Sequence, residues 1–323
     1  MRRREFIALV GASVAWPFVA LAQEPGRIYR LGVLFAAPRN DDSTIAFFEG
    51  VRRQGFSEGQ NLTVIHHAFA ANPDRLPEWV AELVKARVDV IVTVGDLAIR
   101  TAQEATKTTP ILAATDDMVG AGLVNSLARP NGNTTGLSIL ATELDGKRQE
   151  ILIEAVPGLR RMAALADANR TSAVKLEALQ EAARARGIEL SIYRITTGAD
   201  IPTAVETAQV SGATALNVLA SPMLYANRQL IMDRAAAMRM AAIYQWPETA
   251  EEGGLIAYGP RLMDLFRDLL PRKLAQLLRG TKVADIPVEQ PTNFELVINL
   301  KTANELGIAI APAFLGRADK VIE

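Results

Sequence analysis

From Tyr29 onward, short apolar runs rich in Val, Ile and Leu alternate with stretches whose apolar positions recur every three to four residues. The first pattern fits strands buried on both faces, the second amphipathic helices. Their alternation predicts an α/β fold built on parallel sheets. Strands are expected at 29–36, 61–69, 88–94, 110–114 and 134–140, with helices at 43–54, 77–87 and 97–107 between them. In the first helix Ile45, Phe48, Val51 and the stem of Arg52 are expected to face inward. The turn cluster Pro130-Asn131-Gly132-Asn133 opens a second alternating set. Its strands are expected at 162–166, 188–195, 213–219, 241–245 and 255–258. Its helices are expected at 143–156, 171–187, 199–210, 225–239 and 261–278, the last kinked or split at Pro271. Two alternating halves, each over a hundred residues, predict two doubly wound parallel-sheet lobes.

The first 22 residues read differently. Arg2, Arg3 and Arg4 precede an apolar run from Phe6 to Ala15, Pro17 breaks it, and Ala20-Leu21-Ala22 supplies a small-x-small cleavage pattern. This is the layout of an export signal, by the twin-arginine or the Sec route, and the run is too short for a permanent membrane span. The mature chain is expected to begin near Gln23 and to work in the periplasm. No later segment is apolar enough to insert stably in a membrane.

Composition narrows the function. The 35 basic and 36 acidic residues nearly cancel, so no basic excess exists to neutralise phosphates, and nucleic acid is not an expected partner. The chain has no cysteine. That excludes thiol nucleophiles, zinc–thiolate sites, iron–sulfur clusters and the lipid anchor that needs a cysteine after the signal. A freely diffusing monomer without cofactor or metal is expected. His66 and His67, the only histidines, are consecutive on a strand and point to opposite faces, so they cannot chelate one ion or complete a Ser-His-Asp triad. Neither GxGxxG nor GxxxxGK[ST] occurs. An enzyme is not expected, a carboxylate-only secreted hydrolase or lyase being the alternative.

In open α/β sheets ligands bind beyond the carboxyl ends of the strands. That rule selects Phe35 and Ala36, Gly95-Asp96-Leu97, Thr115 with Asp116 and Asp117, Asn169 in Asp167-Ala168-Asn169, and Ser221. Gly95 and the helix start behind it suit a carboxylate, with Asp96 either a helix cap or a contact. Asp116 or Asp117 suits an ammonium group. Tyr244, Trp246 and Tyr258 lie near strand ends and could wall an apolar or aromatic ligand.

Several strings resemble one family over nearly the whole chain. They are RRREFIALVG with ALAQ in the leader, GQNL at 59–62, DRLPEWVAELV at 74–84, LVNSLARPNGNTTGLS at 123–138, KRQEIL at 147–152 and YGPRLMDLFR at 258–267. The most specific is GTKVADIPVEQPTNFELVINLKTANELGI at 280–308. The chain is similar to the ABC-transporter substrate-binding proteins of the tryptophan/tyrosine type. The resemblance implies a periplasmic-binding-protein fold of the first type, with three crossovers between lobes. The first lobe would hold residues 28–141 plus 254–281 and the second 142–253 plus 282–323. The hinge would lie in the 261–278 helix and near 140–143 and 253–260. A small solute would be clamped between the lobes and delivered to a membrane permease and its ATPase, or sensed in a signalling complex. The family's Asp-Pro-Val-Gly pattern appears as Asp117-Met118-Val119-Gly120, and its Asn-Pro-Asn stretch as Asp167-Ala168-Asn169. The resemblance therefore implies Asp117 for a ligand amine, Asn169 for a polar group, and Phe35, Tyr244 and Trp246 for an apolar body. Its small Gly/Ala/Thr loop is replaced by Val94-Gly95-Asp96-Leu97-Ala98.

Overall fold

The computed structural model describes residues 26–69, 72–130 and 132–323; the expected export signal lies outside the described residues. The first lobe holds β1 (Tyr29–Phe35), β2 (Leu62–Ala68), β3 (Val90–Val94), β4 (Ile111–Thr115) and β5 (Thr134–Ser138). They form one sheet in the order β2-β1-β3-β4-β5, every neighbouring pair parallel. The second holds β6 (Arg161–Asp167), β7 (Glu189–Ile195), β8 (Ala215–Val218), β9 (Ala241–Tyr244), β10 (Ile256–Gly259), β11 (Glu295–Asn299) and β12 (Lys320–Ile322). Its order is β12-β11-β10-β9-β8-β6-β7. From β7 to β10 this sheet repeats the parallel order of the first, and β11 then closes it antiparallel to β10. The doubly wound pair expected from the periodicity is thus present.

Helices cover both faces of each sheet, which is why the strands read as continuous apolar runs. The first lobe uses α1 (Asp42–Arg53), α2 (Leu76–Lys85) and α3 (Asp96–Ala105). The second uses α4 (Asp145–Ala155), α5 (Ala173–Ala185), α6 (Ile201–Val210), α7 (Pro222–Ala226), α8 (Arg228–Ala237) and α9 (Pro247–Glu251). α10 (Leu262–Asp264) and α11 (Leu270–Leu278) return to the first lobe; α12 (Leu300–Leu306) and α13 (Pro312–Leu315) finish the second. Local chemistry sets the helix ends. Asp41 caps α1 by accepting from the Ser43 N–H at 3.0 Å, with Asp42 in its first turn and Arg52 and Arg53 in its last, matching the helix dipole. Gly307, at φ 70°, ends α12 in the left-handed conformation. No helix of the described residues is long and apolar enough to cross a membrane.

Three expectations change in detail. The inner face of α1 is Thr44, Ala46, Phe47, Gly50 and Val51, while Ile45 is exposed and Phe48 half-buried. A Cβ on Gly50 would lie 2.1 Å from the Arg267 carbonyl oxygen and 2.5 Å from Pro271 Cγ. That close approach turns the glycine side of α1 inward. The 261–278 helix is interrupted before Pro271 rather than at it: a π-turn at Leu265–Leu269 joins α10 to α11, and Pro271 occupies the first turn of α11. A proline needs no N–H there, and the wider turn absorbs the break in hydrogen bonding. Finally, β10 pairs with β9 through Ile256 and Ile243, so it lies in the second sheet and not in the 254–281 first-lobe block. Conversely, Glu289 bridges to Leu137 at the edge of the first sheet, within a stretch assigned in advance to the second lobe. Edge pairing, invisible in local periodicity, decides both.

Candidate functional site

In a doubly wound sheet the strand order reverses between the first and third strands, and the crevice opens there at the carboxyl ends. In the first lobe this point lies between β1 and β3, at Phe35-Ala36 and Gly95-Asp96. In the second it lies between β6 and β8, at Asp167–Arg170 and Ala220-Ser221. The two crevices face one another: the Arg170 guanidinium lies 3.7 Å from the Asp96 carboxylate. The chain passes between the lobes three times, after β5, after β10 and before β11.

Each crevice has its own scaffold. Gly95 caps α3 at φ 91°, a left-handed conformation that favours glycine, and a Cβ there would meet open space. Asp96 is the first residue of α3 rather than its cap, and its carboxylate accepts from the Thr115 hydroxyl. Leu97 stands exposed on the lip. Across the gap, Ser221 caps α7 and donates to Asp167 at 2.6 Å. The other Asp167 oxygen accepts from the Asn169 N–H at 3.0 Å, which fixes the loop carrying exposed Asn169 and Arg170.

Several expected contact residues are engaged otherwise. Phe35 is 2% exposed, edge-on to Phe47 and Phe266 at 5.2 and 5.6 Å, so its ring belongs to the first core while Ala36 alone faces out. Tyr244 is also buried, in the second lobe's core, and burial pushes its phenol well up. Ser221 and Thr115 are buried positioners of Asp167 and Asp96. Asp117 uses one carboxylate oxygen within its own loop, accepting from the Val119 and Gly120 N–H groups at 3.1 and 2.9 Å. Asp116 holds the first crossover, accepting from the Thr142 N–H at 3.0 Å and from its hydroxyl. Tyr258 is half-buried beside Phe294, with ring centroids 6.3 Å apart, on the second crossover. Polar side chains at strand ends satisfy the free backbone N–H groups of adjacent turns, and that need outbids exposure to the gap.

Trp246 comes together with residues the sequence reading passed over. It extends from the second lobe yet packs, with Ala220 and Tyr225, against the first lobe's core cluster. Tyr225 meets it edge-on at 6.3 Å, and the Arg228 guanidinium lies 4.4 Å from the Tyr225 ring centre. Burial pushes the Tyr225 phenol up to about 12, so it stays a neutral hydroxyl at physiological pH. Its spacing four residues after Ser221 on a helix was the available signal. Arg170 was legible as the residue after Asn169. Arg148 was not: an arginine in KRQEIL reads as solvated, but it is fully buried. It donates to the Ala141 carbonyl at 2.7 Å, to the Tyr258 carbonyl at 3.2 Å and to Asp145 at 2.5 Å. Asp145 in turn accepts from the Ala220 N–H at 2.9 Å. One buried pair therefore ties two crossovers to the β8 crevice loop.

The histidines lie on opposite faces, as strand geometry requires. His66 faces Phe35 and Phe48, and its pKa is lowered by burial, Arg39 and His67. His67 stacks on Trp79 at 5.1 Å. An open groove of about 640 Å³ runs along β7 and α6, and none of the candidate residues lines it.

Comparison with known proteins agrees with this geometry. A tyrosine-binding protein of Clostridioides difficile (strain R20291) is 23% identical over 275 residues, 83% of this chain and 77% of that protein. A conserved domain protein from Vibrio cholerae superposes with a TM-score of 0.80 at 24% identity, covering 91% of this chain and all of that one. An ABC domain in complex with L-Trp from Streptococcus pneumoniae gives 0.77 at 23% identity, again over 91% of this chain and 100% of that chain. Residues 33–322 match the family model of the ABC transporter substrate binding proteins. The two-lobed α/β fold, the facing crevices and this near-complete match place the chain in that family of solute-binding proteins.

Proposed function

We propose that the exported chain captures a small amino-acid-type solute between its lobes, outside the inner membrane, and passes it unchanged to an ABC permease and its ATPase. The observation that carries this reading is the meeting of the two crevices, with Trp246 and Tyr225 reaching from one lobe onto the other and Arg170 reaching Asp96. A solute seated there touches both lobes at once and so favours the closed arrangement over the open one. The edge-on aromatic pair supplies an apolar corner, and the relatives' printed ligands, tyrosine and L-Trp, support an aromatic amino acid. The resemblance of residues 1–22 to an export signal supports the location.

The test is a thermal-shift screen of the mature chain against L-amino acids and aromatic metabolites. A genuine solute at a hundred times its Kd adds about 2.7 kcal/mol to stability. The solute recovered after denaturing the complex is expected to be chemically intact and stoichiometric; turnover would overturn the reading in favour of an enzyme. Cell fractionation is expected to find the protein in the periplasm and shortened at its amino terminus.

A further inference from the structure

We infer that Asp96 and Arg170 form a split receptor for the charged head of a zwitterionic amino acid, Arg170 taking its carboxylate and Asp96 its ammonium group. The inference rests on the solute-capture reading and names the two residues, one from each lobe, that would recognise the solute.

Four observations lead to it. First, the two residues stand on facing crevice loops, at the strand-order reversals of the two sheets. Second, their contact is loose. At 3.7 Å it is too long for a hydrogen bond, and more than a third of each side chain is open to solvent. Third, the neighbouring charged groups on these loops are committed to scaffold. Asp116 holds Thr142 with both oxygens, Asp167 holds Ser221 and the Asn169 N–H with one each, and Asp117 gives one oxygen to its own turn. Lys175 is shared between Thr142 and Glu143 at 2.7 and 2.9 Å. Arg170 has Asp96 as its one ion-pair partner among the described residues. Fourth, Asp96 is anchored from behind by the Thr115 hydroxyl, so its carboxylate stays in place when Arg170 turns away.

An amino acid carries the same two charges as this pair. Inserted between them, its carboxylate receives the planar fork of the guanidinium, which suits a carboxylate better than a point charge does. Its ammonium group replaces the guanidinium against Asp96. Each protein charge exchanges one partner for another, so neither is left bare at any stage. The exchange links the lobes through the solute instead of directly. It also explains why the loop after β3 carries an acid: a carboxylate at the start of α3 repels a solute carboxylate there and directs it to Arg170.

The experiment measures binding of the twenty L-amino acids by calorimetry. The tightest is then compared with its decarboxylated amine and its deaminated acid; for tyrosine these are tyramine and 3-(4-hydroxyphenyl)propionate. The intact amino acid is expected to bind best. Arg170→Gln is expected to weaken the amino acid and the deaminated acid at least about tenfold while leaving the amine unchanged. Asp96→Asn is expected to do the converse, and Arg170→Lys to restore part of the loss. Melting temperatures of the solute-free variants check that they fold. Retention of amino-acid affinity within twofold in both neutral variants overturns the inference, as does equal loss for all three probes. If no L-amino acid binds, the inference falls. A metabolite-library compound bound and released intact would then still uphold the solute-capture reading.

Discussion

Arg148 shows what a single buried charge can do in this fold. Its guanidinium is fully enclosed, and its two terminal nitrogens donate to two crossover carbonyls and Asp145, while Nε has no hydrogen-bond partner among the described residues. Burial pushes the Asp145 carboxyl up, and the Arg148 charge with the Ala220 N–H opposes that push. Removing one partner of such a pair leaves the other buried and uncompensated, at a cost of about 3–5 kcal/mol. Arg148→Gln is therefore expected to lower the urea midpoint sharply. Lys147→Ala, which breaks the exposed Lys147–Glu150 pair, is expected to leave the midpoint unchanged. Equal effects in urea titrations of the two variants would contradict this account. The same contrast separates Asp116, which holds a crossover with both oxygens, from Asp96, whose second oxygen faces the opposite lobe.

Among the elements, polar clusters hold all three crossovers. Leu140, on the first, has φ 53°, a left-handed conformation that a branched side chain adopts at some cost; its N–H donates to the Asp116 carbonyl at 2.7 Å. The second and third meet at Arg261, which donates to Glu251 at 2.9 Å and to Glu295 at 2.8 Å, while Lys320 reaches Glu251 at 2.7 Å. On the first-lobe side, Arg272 and Lys273 hold Glu289 at 2.7 and 3.2 Å. Burial works against ionisation of Glu251 and of Glu289, but the hydrogen bonds and charges of these partners outweigh it and hold both below the ordinary 4.5. A carboxyl depressed in the folded state stabilises the fold above its unfolded value, and the stabilisation is lost as pH falls through the folded value. Stability measured by urea titration is thus expected to decline once pH drops below about 4.5. The double variant Glu251→Gln/Glu289→Gln is expected to show a shallower decline over that interval. A parallel decline in wild type and variant would exclude these clusters as its source.

The whole molecule is two copies of one winding order, set with their crevices face to face. Under the proposed solute capture that arrangement implies motion, since a ligand held by both lobes can only favour the state in which both touch it. Small-angle scattering is expected to show a smaller radius of gyration with a bound amino acid than without, and a smaller change for Arg170→Gln at a concentration near the wild-type Kd. An unchanged radius in the wild-type protein, with binding confirmed by calorimetry, would argue against hinge closure.

Local periodicity was enough to read the alternation of strands and helices, because apolar spacing is imposed residue by residue by the backbone's own repeat. The two halves and the crevice loops at the strand ends followed from it. The strands after residue 290 escaped: the first runs antiparallel to its neighbour, outside the alternating order, and the second is only three residues long. Whether β10 belonged to one sheet or the other, and whether Phe35 turned its ring to the gap or to the core, depended on contacts between residues far apart in the chain. So did the role of Arg148, whose partners include a carbonyl 110 positions away. The sequence by itself determined the class of fold and the loops where a ligand could sit. Tertiary structure alone decided which polar groups on those loops were consumed in satisfying buried backbone, and hence which were left to meet a solute.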